Sequence, residues 1–115
     1  MIDAKSVLTE NQRKKLSVKV TEIPYPVYGK VCTKLNVKKL AFNDFRGLAE
    51  KVGFEKYVID AIDQRSENPT DEILKNWSTK RYKEATVGKL IKLLEEIERM
   101  DAVKDLEDWV NEKSS

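Results

Sequence analysis

Residue types that do chemistry are scarce in this 115-residue chain: histidine is absent and Cys32 is the single cysteine. Within one chain this excludes a disulfide, a Cys/His zinc site and a histidine-based catalytic triad. Paired carboxylates remain at Glu95-Glu96 and Glu107-Asp108. Neighbouring helix positions diverge by about 100°, so neither pair faces one cleft as general acid–base chemistry requires. Cys32 sits among apolar neighbours, where a buried inert thiol is the expected state. No catalytic constellation is left, and nothing in the sequence calls for a cofactor, a metal or a small-molecule substrate.

Charge is the remaining chemistry, at 37% of residues against a typical ~25%. The net charge of +2 hides a polarity along the chain. Residues 1–40 carry nine Lys/Arg against three Asp/Glu; residues 41–115 carry 13 against 17. In finer windows, Lys75, Lys80, Arg81, Lys83, Lys89 and Lys92 face only Glu84, and between Glu95 and Glu112 eight acids face only Arg99 and Lys104. Any single charge here is ordinarily a solvated side chain. Their segregation instead favours docking of like domains, positive onto negative. A nucleic-acid module using the Lys75–Lys92 window ranks far below, because acids flank that window and Gly-rich or aromatic-basic features of a reader element are few.

The elements that must position these charges are helices. No apolar run approaches the roughly 18 residues of a bilayer span, and MIDAKSVLTE lacks a signal peptide's apolar stretch, so neither membrane insertion nor secretion is expected. Val27, Val31 and Leu35, with Tyr28 and Cys32 beside them, form the stripe of a first helix entered through Pro26. Asn43 is expected to cap a second over 44–52, with Phe45, Leu48, Ala49 and Val52 inward and Gly53 as its stop. A third runs from Glu55 to about Arg65, with Val58, Ala61 and Ile62 inward and Asp60 and Asp63 facing water. Asn68 or Thr70 caps a fourth through Pro69, burying Ile73, Leu74 and Trp77. Thr86 caps a fifth whose Val87, Leu90, Ile91, Leu94 and Ile97 keep the helical period, and Ala102, Val103, Leu106 and Val110 make the face of a sixth. Phe45, Leu48, Trp77, Val87, Leu90 and Leu94 are therefore expected in the core. Trp109 is balanced between core and interface anchor.

Residues 1–23 read differently. Leu16, Val18 and Val20 alternate with polar residues as a strand does, with Ser6 to Leu8 as a pairing partner across TENQRKK as a polar turn. An arm of this kind is a β-hairpin, the tail of a preceding domain, or a disordered or helical extension. Pro24 and Pro26 mark its boundary. The expected organisation is thus an N-terminal arm over 1–23, an all-α six-helix antiparallel bundle over 24–111 and a disordered tail over 112–115.

The six-helix order, with NDFRGLAEKVGF, NPTDEILKNW and ATVGKLIKLLEEIERMDAV in helices two, four and five to six, resembles the death domain superfamily, with its Greek-key bundle. LNV at 35–37, LAE at 48–50, Pro69-Thr70, Trp77, Val87-Gly88 and Arg99-x-Asp101 look most like the myeloid differentiation adaptor of Toll and interleukin-1 receptors. IPYPVYGKVCTKL is instead similar to netrin receptors and the receptor-associated kinases, and LSVKVTEIP fits the strand that leads into a netrin-receptor death domain. Phe45 stands where the family usually has Trp. The resemblance implies a non-catalytic, cytoplasmic module, free-standing or part of a receptor, whose partners are other death domains or further copies of itself, in innate immune or apoptotic signalling. It implies three kinds of asymmetric contact. Lys75, Lys80, Arg81 and Lys83 fall on one half of the first, and Arg99, Asp101 and Asp105 on its complement. Asp60 and Asp63 fall on a further face that meets Lys38 and Lys39 of a neighbour.

Overall fold

The computed structural model describes residues 8–112. Seven α-helices account for its regular structure: α1 (Glu10–Leu16), α2 (Tyr25–Asn36), α3 (Phe45–Lys51), α4 (Lys56–Arg65), α5 (Pro69–Lys80), α6 (Val87–Glu96) and α7 (Met100–Asn111), with a 3-10 turn at Val20–Glu22. The molecule is an all-α bundle in which α2 to α7 are the six helices expected from period and caps. Among the described residues the only β pairing is an isolated antiparallel bridge between Lys19 and Thr86.

Local chemistry sets most helix starts. Pro26 and Pro69 lie in the first turns of α2 and α5, where a missing N–H costs nothing. The Asn68 side chain accepts from the Asp71 N–H, and Thr86 accepts from the Lys89 N–H. Asp44, not Asn43, caps α3: its carboxylate accepts from the Arg46 N–H at 2.9 Å while the Asp44 side chain is fully buried. The neighbouring residue wins because a carboxylate there also receives the Lys39 N–H and the Arg46 guanidinium.

The main core joins Val31 and Leu35 of α2, Leu48 of α3, Leu74 and Trp77 of α5, Leu90 and Leu94 of α6, and Val103 and Leu106 of α7. Each such side chain, fully buried, contributes about 1.5–3 kcal/mol. A second cluster joins Phe45, Ala49, Ile59, Ile62 and Ile73 between α3, α4 and α5. There the inward face of α4 is Ile59 and Ile62, while Ala61 is exposed. The helix turns its larger aliphatic side chains inward, since one methyl group removes far less apolar surface from water.

The N-terminal arm corrects the hairpin expectation. TENQRKK is not a turn: Thr9 and Gln12 form a reciprocal capping box, with the Gln12 N–H donating to Thr9 Oγ1 at 3.1 Å and the Thr9 N–H to Gln12 Oε1 at 2.9 Å, and α1 follows. Leu16 and Val18 pack against the main core and Val20 is fully buried within it, which a solvated hairpin would not allow. Ser6 and Val7, the proposed partners of that strand, and 113–115 of the tail lie outside the described residues.

Candidate interaction surface

The α5 end and the α5–α6 loop carry the basic window. Lys75 pairs with Asp71 one turn earlier at 3.0 Å, and Asp71 also accepts from the Tyr28 hydroxyl at 2.6 Å. Burial first, then the bond to Asp71, push the Tyr28 phenol above its ordinary range. Lys80 lies over the Phe54 ring with its ammonium 6.0 Å from the centroid, and Arg81 approaches Glu84 at 3.5 Å. Arg81, Tyr82, Lys83 and Glu84 are all exposed. Ion pairs this exposed contribute about 0–1 kcal/mol and exchange readily for a partner's carboxylates.

The acidic counterpart on α7 divides into exposed and committed groups. Asp101, Glu107 and Asp108 face solvent, with Asp108 meeting Lys104 at 3.0 Å. Asp105 is turned toward the bundle: its side chain is 14% exposed and lies 2.6 Å from Lys34. Arg99, expected on this surface, is 4% exposed. It donates to the carbonyls of Asn43 and Lys34 at 2.9 and 3.1 Å and to both oxygens of Asp101. Arg99 therefore ties the α6–α7 turn to α2 and the α2–α3 loop, and presents no charge to a neighbour. The Asp101 carboxyl is held down to about 2, chiefly by its bonds from Arg99.

The third candidate face is brought together within one molecule: Lys38 pairs with Asp63 at 2.8 Å. Asp60 and Asp63 line a groove of about 510 Å³ between α3 and α4, with Phe42, Arg46, Phe54 and Ile59. Lys39 joins the framework through its backbone, its N–H donating to Asp44 at 2.7 Å and its carbonyl accepting from Arg46 at 2.9 Å.

Sequence reasoning missed the apolar part of this face. Val37, Leu40 and Phe42 are 57%, 101% and 59% exposed on the α2–α3 loop. Phe42 has φ 61°, a left-handed conformation that costs a bulky residue about 1–2 kcal/mol. Its carbonyl packs so tightly on α3 that a Cβ at Gly47 would lie 2.6 Å away, and the Arg46 guanidinium stacks on its ring at 4.3 Å. Asp44 and Arg46 thus hold a strained loop that points large apolar side chains into water. The available signal was VKKLAF itself, whose apolar residues belong to no helical stripe.

Trp109 is half-buried against the main core beneath Lys15, whose ammonium sits 5.3 Å from its ring centroid. Cys32 is buried, and burial followed by the charge of Asp71 pushes its thiol up to about 12, so it stays protonated at neutral pH. Among the described residues no acid or cysteine cluster has the makings of a metal site, and no helix is long and apolar enough to cross a membrane.

The family model described as Death domain matches residues 32–110. No solved structure matches the chain.

Proposed function

The chain belongs to the death domain family, and on that premise we propose that it assembles a receptor-proximal signalling complex by homotypic association, with itself or with other death domains. The family makes it a protein–protein interaction module of signalling or apoptosis; the match over residues 32–110 is the observation that carries the reading. The module proper takes in residues 24–111 and works in the cytoplasm.

We assign one contact half to Lys80, Arg81 and Lys83, the exposed cations at the α5 end and its loop, with Lys75 beside them. Its complement on a neighbour is the exposed acidic face of α7 at Asp101, Glu107 and Asp108. A further contact uses the α2–α3 loop, with Lys38, Lys39, Leu40 and Phe42, against the α4 face at Asp60. Magnitudes divide the labour. Rim ion pairs contribute about 0–1 kcal/mol each, whereas full burial of Leu40 alone would contribute about 1.5–3. Charges then set orientation and partner choice, while the loop supplies most of the affinity. Because each contact joins two different surfaces, association need not close and builds a helical stack.

The Toll and interleukin-1 receptor class is the first choice of pathway, supported by the resemblance through α3 to α7. The entry into α2, IPYPVYGKVCTKL, favours a second reading as a netrin-receptor-like death domain controlling apoptosis. Capture assays against isolated death domains of the two classes separate them, with Phe42→Asn as the control. Asparagine tolerates a left-handed φ, so stability is expected to hold within about 0.5 kcal/mol while capture falls roughly tenfold. Capture by neither class, or undiminished capture by Phe42→Asn, would overturn the corresponding part of the reading.

A further inference from the structure

The α5–α6 loop is held from outside by the N-terminal segment. The Val20 N–H donates to the Ala85 carbonyl and the Val87 N–H to the Val18 carbonyl, both at 2.9 Å. Between them Lys19 reaches over the loop, donating to the Tyr82 carbonyl at 2.8 Å with its ammonium 4.3 Å from the Tyr82 ring centroid. The loop's own bonds are short-range, from Glu84 and Ala85 to the Arg81 carbonyl and from Thr86 to Glu84. Arg81 to Glu84 are exposed, and Ala85 is the one apolar side chain of the loop buried in the core. A loop so placed opens easily unless something else fastens it.

The fastening segment is itself anchored at both ends. Lys15 donates to the Trp109 and Glu112 carbonyls at 2.8 and 2.9 Å, satisfying the C-terminal end of α7, and Gln12 donates to Asn111 at 2.7 Å. The Leu16 carbonyl lies against Gly88, 3.3 Å from where a Cβ would stand. Downstream, Val20 and Ile23 are 0% and 6% exposed in the main core.

From this arrangement we infer that residues 15–20 form a strap that positions the basic α5–α6 loop for partner contact, with Lys19 as the positioning residue. The strap precedes residues 32–110, which match the family model. The inference rests on the reading of Arg81 and Lys83 as contact residues.

The test is Lys19→Met, which keeps the aliphatic stem and both backbone bonds of the strap but removes the ammonium. Lys14→Met removes an equal charge from an exposed position on α1 and controls for net charge. In Lys19→Met the Glu84, Ala85 and Thr86 amides are expected to exchange about tenfold faster. Association with the unaltered protein is expected to weaken about fivefold, while the thermal midpoint moves less than about 3 °C. Lys14→Met changes neither exchange nor association, and Lys19→Arg restores both. Unchanged loop exchange in Lys19→Met overturns the inference, as does an equal loss of association in Lys14→Met. Lys83→Glu, measured alongside, separates the premise: undiminished association there removes the contact reading, while the exchange rates still decide whether the strap positions the loop.

Discussion

Arg99 is a charged residue whose whole guanidinium is committed inside the fold, to two backbone carbonyls and one carboxylate. Arg99→Ala leaves the Asn43 and Lys34 carbonyls without this donor and Asp101 without its partner, for an expected loss of about 3 kcal/mol in urea unfolding. Arg99→Lys recovers little, because a single ammonium cannot span the three acceptors. The same network sets an acid limit. Asp101 titrates at about 2 in the fold, and Asp44 is also held low: burial opposes this, but the bonds from Arg46 and from the Lys39 and Arg46 N–H groups outweigh it. Both folded values lie below the unfolded value near ~3.9, so the stability these groups add is complete above that value and is lost as pH falls toward the folded ones. Urea midpoints are expected to show their contribution level from pH 7 to about 5 and declining toward about 2, with a shallower acid limb in Asp101→Asn. The Arg99-x-Asp101 spacing alone did not signal burial, because the other two acceptors of Arg99 come from residues 34 and 43 and meet it only in the folded bundle. Asp44 and Arg46 are two residues apart, but their joint hold on the Lys39 backbone was equally a tertiary fact.

At the scale of elements, helix ends divide into relieved and strained ones. Glu98, just past α6, has φ 61° while its N–H donates to Glu95 and the Arg99 N–H donates to Leu94. Glycine is the residue this terminus favours, so Glu98→Gly is expected to raise stability by about 0.5–1 kcal/mol in chemical unfolding. Phe42 has the same φ, but on a loop that exposes its ring, so its strain serves the proposed contact. Caps and apolar period made α2 to α7 legible, since Asn68, Thr86 and the stripes of α6 and α7 act locally. On α4, Val58 and Ile62 pack inward as their spacing implies, whereas Ile59 takes the place expected of Ala61, a choice that only packing against α3 and α5 makes. Helix α1 was hidden for the opposite reason: it buries no residue and has no apolar stripe. Its one signal was the capping-box spacing of Thr9 and Gln12, overshadowed by the alternation from Leu16 to Val20. That alternation survives as a single bridge because Val20 enters the core instead of extending a sheet.

For the whole molecule, the segregation of charge in the sequence survives folding in part. The basic loop stays exposed, whereas Arg99 and Asp105 turn inward and leave the acidic face to Asp101, Glu107 and Asp108. The apolar loop at Val37, Leu40 and Phe42 adds what charge alone cannot, since exposed ion pairs weaken with salt while buried apolar area does not. Assembly is therefore expected to be concentration-dependent and salt-sensitive, with a residual apolar component. The most direct measurement is multi-angle light scattering over a range of protein concentrations at ~50 and ~500 mM salt, which span weak to strong screening. Mass is expected to rise with concentration, to fall at the higher salt, and to rise far less in the Lys80→Glu, Arg81→Glu variant. A monomer at every concentration, or assembly indifferent to salt and to that variant, would contradict self-association through the basic loop.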